Sequence, residues 1–198
     1  MNARILAAAS LPLALGACVA FEHLPEVALA CDPRLEGRWA PDGMAAKDAV
    51  VIDRQCQATI PGGSQARGAA EPLRFKLRSF QLDGQGYLVF EKGDIARLTG
   101  LAEGALADSD LQALDKQRFL MRYRIDGETL QAAMADQAYA SDAIDEGMLS
   151  GKALAETVSL VETDADGMPG LLASHPELFV SEGRGWAEFR RLGAGLAP

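Results

Sequence analysis

Histidine is nearly absent. His23 and His175 are the only two in 198 residues. That scarcity leaves little room for zinc sites built on imidazole, or for a Ser-His-Asp hydrolase, which would have to rest on His175. His175 ends a helical apolar stripe, where packing or a helix-end hydrogen bond is the expected role, and His23 lies near the amino terminus. No phosphate loop, Gly-rich dinucleotide turn, His-Glu-x-x-His pair or Gly-x-Ser-x-Gly elbow occurs, so no motif implies a cofactor, a metal or a catalytic residue. Positive charge is also short: 19 Lys and Arg face 28 Asp and Glu, a formal charge of −9. An acidic chain is a poor partner for nucleic acid, whose affinity rests on neutralised phosphates. After residue 19 no apolar run is long enough to span a bilayer.

What the chain does have is a distinctive beginning. Arg4 is the only charged residue before Glu22, and Ile5 to Val19 is almost wholly apolar or small. A positive start and a short apolar run are the anatomy of a secretory signal peptide, expected over residues 1–17. The run closes on Leu15-Gly16-Ala17-Cys18, which resembles a bacterial lipobox. The resemblance implies cleavage before Cys18, diacylglycerol on its sulfur and acylation (such as palmitate) of its new amino group. Two or three acyl chains hold a protein firmly on a membrane, where one does so only marginally. Val19 rather than aspartate after the cysteine is similar to outer-membrane sorting signals, with the domain facing the periplasm. Loss of residues 1–17 removes Arg4 and no acid, so the mature charge becomes −10. Membrane attachment must then come from the lipid, because anionic headgroups repel such a chain. Residues 18–30, with Pro25, are expected to be a lipidated tether, and residues 31–198 a single globular domain.

Three cysteines remain to be assigned. With Cys18 lipidated, Cys31 and Cys56 are an even pair in an oxidising compartment, and a structural disulfide is expected. The chain-entropy model gives such a loop roughly 3.5 kcal/mol.

Within the domain, alternation dominates. Ala49–Asp53 and Cys56–Ile60 read as a hairpin or one bulged strand. In Arg74–Leu82 the apolar parity slips from Phe75 and Leu77 to Phe80 and Leu82, which predicts a bulge near Ser79. Asp83-Gly84-Gln85-Gly86 reads as a turn before a return strand, Tyr87–Phe90. Phe119, Met121, Tyr123 and Ile125 share one face and Arg122 and Arg124 the other, with Asp126-Gly127 turning the chain toward Leu130, Ala132 and Met134. Arg122 and Arg124, beside Arg74, Lys76 and Arg78, would form either a basic stripe or, as the main expectation, a solvated face paired with acids. Two helical stripes follow, around Tyr139–Ile144 and Met168–His175, separated by a strand at Thr157–Glu162. Asp136 or Ser141 is expected near the start of the first helix, and Asp166 as the cap of the second. Asp164-Ala165-Asp166-Gly167 echoes a calcium loop but lacks its later ligands, so a capping turn is expected. A final strand covers Gly185–Leu192.

The expected fold is mainly β, α+β by count: a curled antiparallel sheet or small barrel with two short helices before the final strand. Gly37-Arg38-Trp39 near the domain's start looks like the Gly-x-Trp of lipocalins. That resemblance implies that Trp39 closes one end of a barrel and that a late arginine, Arg190 or Arg191, packs over it. More broadly the chain resembles lipocalin-like bacterial lipoproteins. The expected function is a lipid-anchored envelope protein, not an enzyme, that binds a protein partner or a small apolar ligand. A carboxylate-based hydrolase of envelope polymers and a structural subunit of an envelope complex are the alternatives. A hydrolase predicts a paired, buried Asp or Glu in a cleft; a binding module predicts an apolar pocket or patch.

Overall fold

A computed structural model describes residues 18–61, 72–99, 113–155, 157–179 and 186–193. The expected signal peptide lies outside the described residues. Twelve strands form one sheet: β1 Cys18–Phe21, β2 Gly37–Pro41, β3 Val50–Ile52, β4 Gln57–Ile60, β5 Leu73–Lys76, β6 Arg78–Leu82, β7 Gln85–Phe90, β8 Arg118–Asp126, β9 Thr129–Met134, β10 Gly151–Ala155, β11 Val158–Val161 and β12 Ala187–Arg191. Three helices are described: α1 Lys92–Thr99, α2 Gln137–Asp145 and α3 Met168–Ser174. None is long and apolar enough to cross a membrane.

The sheet runs β10-β11-β1-β8-β9-β12-β2-β3-β4-β5, with β6 and β7 joined to it through β8. Strand β8 makes the fork. Its one edge pairs with β7, and β1 and β9 divide the other. All pairings are antiparallel except β1 with β11. The sheet curls but its ladder does not close into a ring. Chain continuity does the joining: β5 pairs with β4, β6 pairs with β7, and the two abut at Leu77.

The curl has apolar side chains on both faces. Inside lie Trp39, Ala58, Phe75, Leu77, Leu88, Phe90, Phe119 and Tyr123. Outside, Phe21, Phe80, Val89, Leu120 and Val161 are covered by Ala140 and Ala143 of α2, Met168 and Leu172 of α3, and Leu178. This double core corrects the expected bulge near Ser79. Pairing of β6 with β7 runs unbroken from Arg78–Val89 to Leu82–Gln85. Phe75 and Leu77 face inward while Phe80 and Leu82 face the helical layer. A parity change marks a strand that passes from a one-sided to a two-sided core, and no extra residue is inserted.

Turn chemistry explains the hairpins. Asp83 and Gly84 occupy the two-residue loop between β6 and β7 with φ of +48° and +77°, as a tight hairpin turn of primed type demands. Gly86, grouped with that turn in the sequence reading, is instead a strand residue opposite Tyr123. Asp136 caps α2, its Oδ1 accepting from the Ala138 and Tyr139 amides at 2.9 and 3.4 Å. Asp164, not Asp166, holds the entry to α3: its Oδ1 accepts from the Gly167 amide at 2.6 Å and its carbonyl from the Met168 amide at 3.2 Å. Three residues before Gly167, Asp164 has the reach that Asp166 lacks.

Residues 18–30 also differ from the expected tether. Val19, Ala20 and Phe21 are buried in an interior strand. Glu22 N donates to the Val161 carbonyl at 3.0 Å, and His23 Nδ1 lies 2.8 Å from the Thr163 carbonyl. The physical reason is that Cys-Val-Ala-Phe is apolar throughout and so suits a strand with a core on each face: Cys18 and Ala20 go inward and Val19 and Phe21 lie under the helices.

Candidate binding site

One end of the curl is crossed by residues 30–37, and this segment is tied down on several strands. Ala30 exchanges backbone hydrogen bonds with Ser79 of β6, at 2.8 and 2.9 Å. Cys31 is disulfide-bonded to Cys56 just before β4, with Cα atoms 5.7 Å apart. Asp32 caps a single 3-10 turn, Pro33–Leu35, whose Leu35 is buried in the inner core. The Trp39 indole, fully buried, donates its Nε1–H to the Leu35 carbonyl at 2.8 Å.

Arg191 locks that end from the other side. Register pairs it with Trp39, and its guanidinium carbon lies 4.2 Å from the centre of the Trp39 ring. Its Nη1 and Nη2 donate to the carbonyls of Glu36 and Arg34 at 2.5 and 2.8 Å. Gly37, at φ +143°, lets the strand start there, and a Cβ would meet Arg191 Nη1 at 3.0 Å. Arg190 points away, with Nε 3.7 Å from Asp42 Oδ1. Alternation along β12 thus assigns the stacking role to Arg191 and a surface role to Arg190.

Beneath the segment is a polar knot that the sequence reading missed. Asp32 Oδ2 accepts from the Tyr123 hydroxyl at 2.7 Å, from Arg34 Nη2 at 2.7 Å and from Gln81 Nε2 at 3.2 Å. Burial pushes the Asp32 carboxyl up, but the hydrogen bonds from Arg34 and Tyr123 outweigh it and hold the group below the usual carboxylate range. Burial, followed by the Asp32 partner, pushes the Tyr123 hydroxyl well above its ordinary value. Gly86 makes the arrangement possible, since any side chain there would overlap the Tyr123 ring. Asp32, Gln81 and Tyr123 are up to 91 residues apart, so only the out-of-place glycine hinted at the knot.

Beside the disulfide this end opens into a groove of about 460 Å³. Ala28, Ala30, Pro33 and Phe80 form its apolar lining, and Asp32, Arg34, Ser79 and Gln81 supply polar groups. Val27 and Leu29, both 37 % exposed, flank Ala28 in the same segment.

The remaining candidates are dispersed. Cys18 opens β1, its amide donating to the Thr157 carbonyl at 2.8 Å. Its thiol is partly buried against the inner core, and burial pushes its pKa up. His175 Nδ1 lies 3.0 Å from the Tyr139 hydroxyl, linking α3 to α2. Arg78 pairs with Glu91 at 2.7 Å.

Comparison with known proteins adds no relative: no family model matches the chain, and no curated protein and no solved structure is significantly similar to it.

Proposed function

We propose that the chain is a lipid-anchored envelope protein whose groove beside the Cys31–Cys56 disulfide binds a small apolar ligand or the apolar side chains of a protein partner. The groove carries this reading. Its volume falls in the range of ligand clefts, about 300–1,000 Å³, and an apolar lining with a few fixed polar groups is the usual composition of such sites. Arg34 and Gln81 are both held by Asp32, so they meet a ligand in set positions.

The two acids buried among the described residues favour binding over hydrolysis. Asp32 is held ionised by Arg34 and Tyr123, which suits it poorly to give up a proton, and Asp136 is engaged as a helix cap. They belong to separate parts of the molecule, without the shared substrate space that paired carboxylates need.

The anchor is supported by the Leu15-Gly16-Ala17-Cys18 pattern. Cleavage before Cys18 leaves β1 whole, an acylated amide at Cys18 keeps the one N–H that Thr157 accepts, and the Cys18 sulfur, partly buried against the inner core, would turn outward to carry diacylglycerol. With β1 inside the sheet, the domain would stand directly on the outer membrane's periplasmic surface rather than at the end of a tether.

Two measurements test the proposal. Mass spectrometry of the mature amino terminus should find an acylated Cys18; an intact Met1 would refute the anchor. Native extraction should co-purify a stoichiometric apolar molecule or protein, and Ala28→Trp, which fills the groove, should lose it. Equal recovery with Ala28→Trp would exclude the groove.

A further inference from the structure

The outer face of the sheet carries a second feature, distinct from the groove and independent of the lipid anchor. Arg122 and Arg124 lie two residues apart on β8, which places their Cα atoms about 6.5–7 Å apart on one face. Both guanidinium carbons lie over the same indole, Trp186, at 5.8 and 4.8 Å from its centre. The register shows how. Trp186 precedes the Ala187–Ala132 pair of β12 and β9, and Arg122 pairs with Ala133 of β9. The indole therefore reaches β8 across Ala133, a small side chain that leaves it room.

A solvated face on an acidic chain should pair these arginines with carboxylates. It does not. Arg122 Nε donates to Gln85 Oε1 at 3.1 Å, and Arg124 Nε to Gln131 Oε1 at 2.5 Å. Gln131 is itself oriented, donating Nε2–H to Glu188 Oε2 at 3.1 Å. Asp83, in the β6–β7 turn, and Glu188 are acids on this side, yet among the described residues neither arginine forms an ion pair. Each side chain is thus steered through its Nε by a neutral amide. The terminal NH2 groups, which suit two-pronged recognition of an oxyanion, have no hydrogen-bond acceptor among the described residues. Next to Arg122 is a recess of about 110 Å³ whose apolar wall includes Leu82, Tyr87, Leu172 and Pro176 and whose polar rim includes Asp83 and Gln85.

We infer that Arg122, Arg124 and Trp186 form a binding site for a phosphate monoester. Two fixed guanidiniums match a dianion with three exposed oxygens better than they match a single carboxylate. The indole lowers local solvation and holds both cations by their π contact. The recess offers apolar contact to whatever the phosphate is attached to. The phosphate can come from a lipid headgroup or from a soluble ester, and the apolar recess separates the two sources.

The full chain, titrated with inorganic phosphate by calorimetry, should bind with a Kd below about 1 mM. Arg122→Gln/Arg124→Gln should weaken binding at least about tenfold. Arg74→Gln/Lys76→Gln, which removes the same charge from exposed β5, should leave it unchanged. Arg122→Lys/Arg124→Lys, which keeps the charge and loses the planar fork, should fall between them. Dihexanoyl phosphatidic acid binding about tenfold tighter than glycerol 3-phosphate would support the site and name a lipid headgroup. Equal affinities would support it and name a soluble ester. No saturable binding to the unaltered chain, or equal loss in both charge-removing variants, would overturn the inference.

Discussion

The chain has two tryptophans, and each carries arginine, but the two contacts are built in opposite ways. At the closed end, Trp39 is fully buried, its indole N–H is bonded to Leu35, and the Arg191 guanidinium is taken up by the carbonyls of Glu36 and Arg34 and by Glu128, whose Oε2 lies 3.6 Å from its Nε. On the outer face, Trp186 is partly exposed, and among the described residues Arg122 and Arg124 are hydrogen-bonded only through Nε. The first pair has its donors turned to its own backbone, the mark of a part that holds the fold. The second keeps its terminal NH2 groups without a hydrogen-bond acceptor or ion pair among the described residues, in a chain rich in acids. Identical residue types therefore serve the fold in one place and face outward in the other, and the partners of the guanidinium nitrogens tell them apart.

The sharpest way to break that contrast is to remove each tryptophan. Trp39→Ala should destabilise the fold by about 3–5 kcal/mol, measured by urea unfolding, because a fully buried ring leaves a cavity in the inner core. A loss under about 1 kcal/mol would mean that the closed end is not a structural unit. Cys31→Ser/Cys56→Ser should follow at about 2–4 kcal/mol, since the disulfide restrains the same end.

Tyr123→Phe is expected to cost about 1–3 kcal/mol by leaving a buried Asp32 oxygen short of a donor. The same knot sets the pH dependence. Asp32 is held below the ordinary carboxylate value, so its contribution is present above that value and is lost as pH falls through the lower folded-state value. Tyr123 is raised above 10.0, so above that pH the unfolded chain ionises first and stability falls as pH rises. Tyr123→Phe should flatten the alkaline limb of a stability–pH profile; an unchanged limb would remove Tyr123 as its source. Smallest of all, Arg122→Gln/Arg124→Gln should shift stability by less than about 0.5 kcal/mol while it weakens phosphate binding. A shift as large as that of Trp39→Ala would erase the distinction between the two pairs.

How much of this could be read from the sequence depends on range. The β8–β9 hairpin was legible because alternation and the Asp-Gly turn are local, and its inner and outer residues fall as that alternation predicts. The Cys31–Cys56 disulfide followed from cysteine arithmetic. Arg190 and Arg191 were indistinguishable until register placed Arg191 opposite Trp39. Strand β1 is hard to tell from a tether in the sequence because Cys18–Phe21 are apolar on both faces and continue the preceding apolar run, and β11, its parallel neighbour, is 140 residues away in register. Strand β10 was missed for a related reason: Gly-Lys-Ala-Leu-Ala has weak strand preference and gains its place by pairing with β11. The glutamines that brace Arg122 and Arg124 carry no signal in a linear reading, which expected acids there.

Two indole N–H signals in a 1H–15N spectrum of the full chain test the contrast most directly. On addition of inorganic phosphate, the Trp186 indole signal should move in a saturable way while the Trp39 signal stays fixed. If Trp186 does not respond, or if Trp39 moves with it, the two arginine–tryptophan pairs do not divide the work between binding and folding.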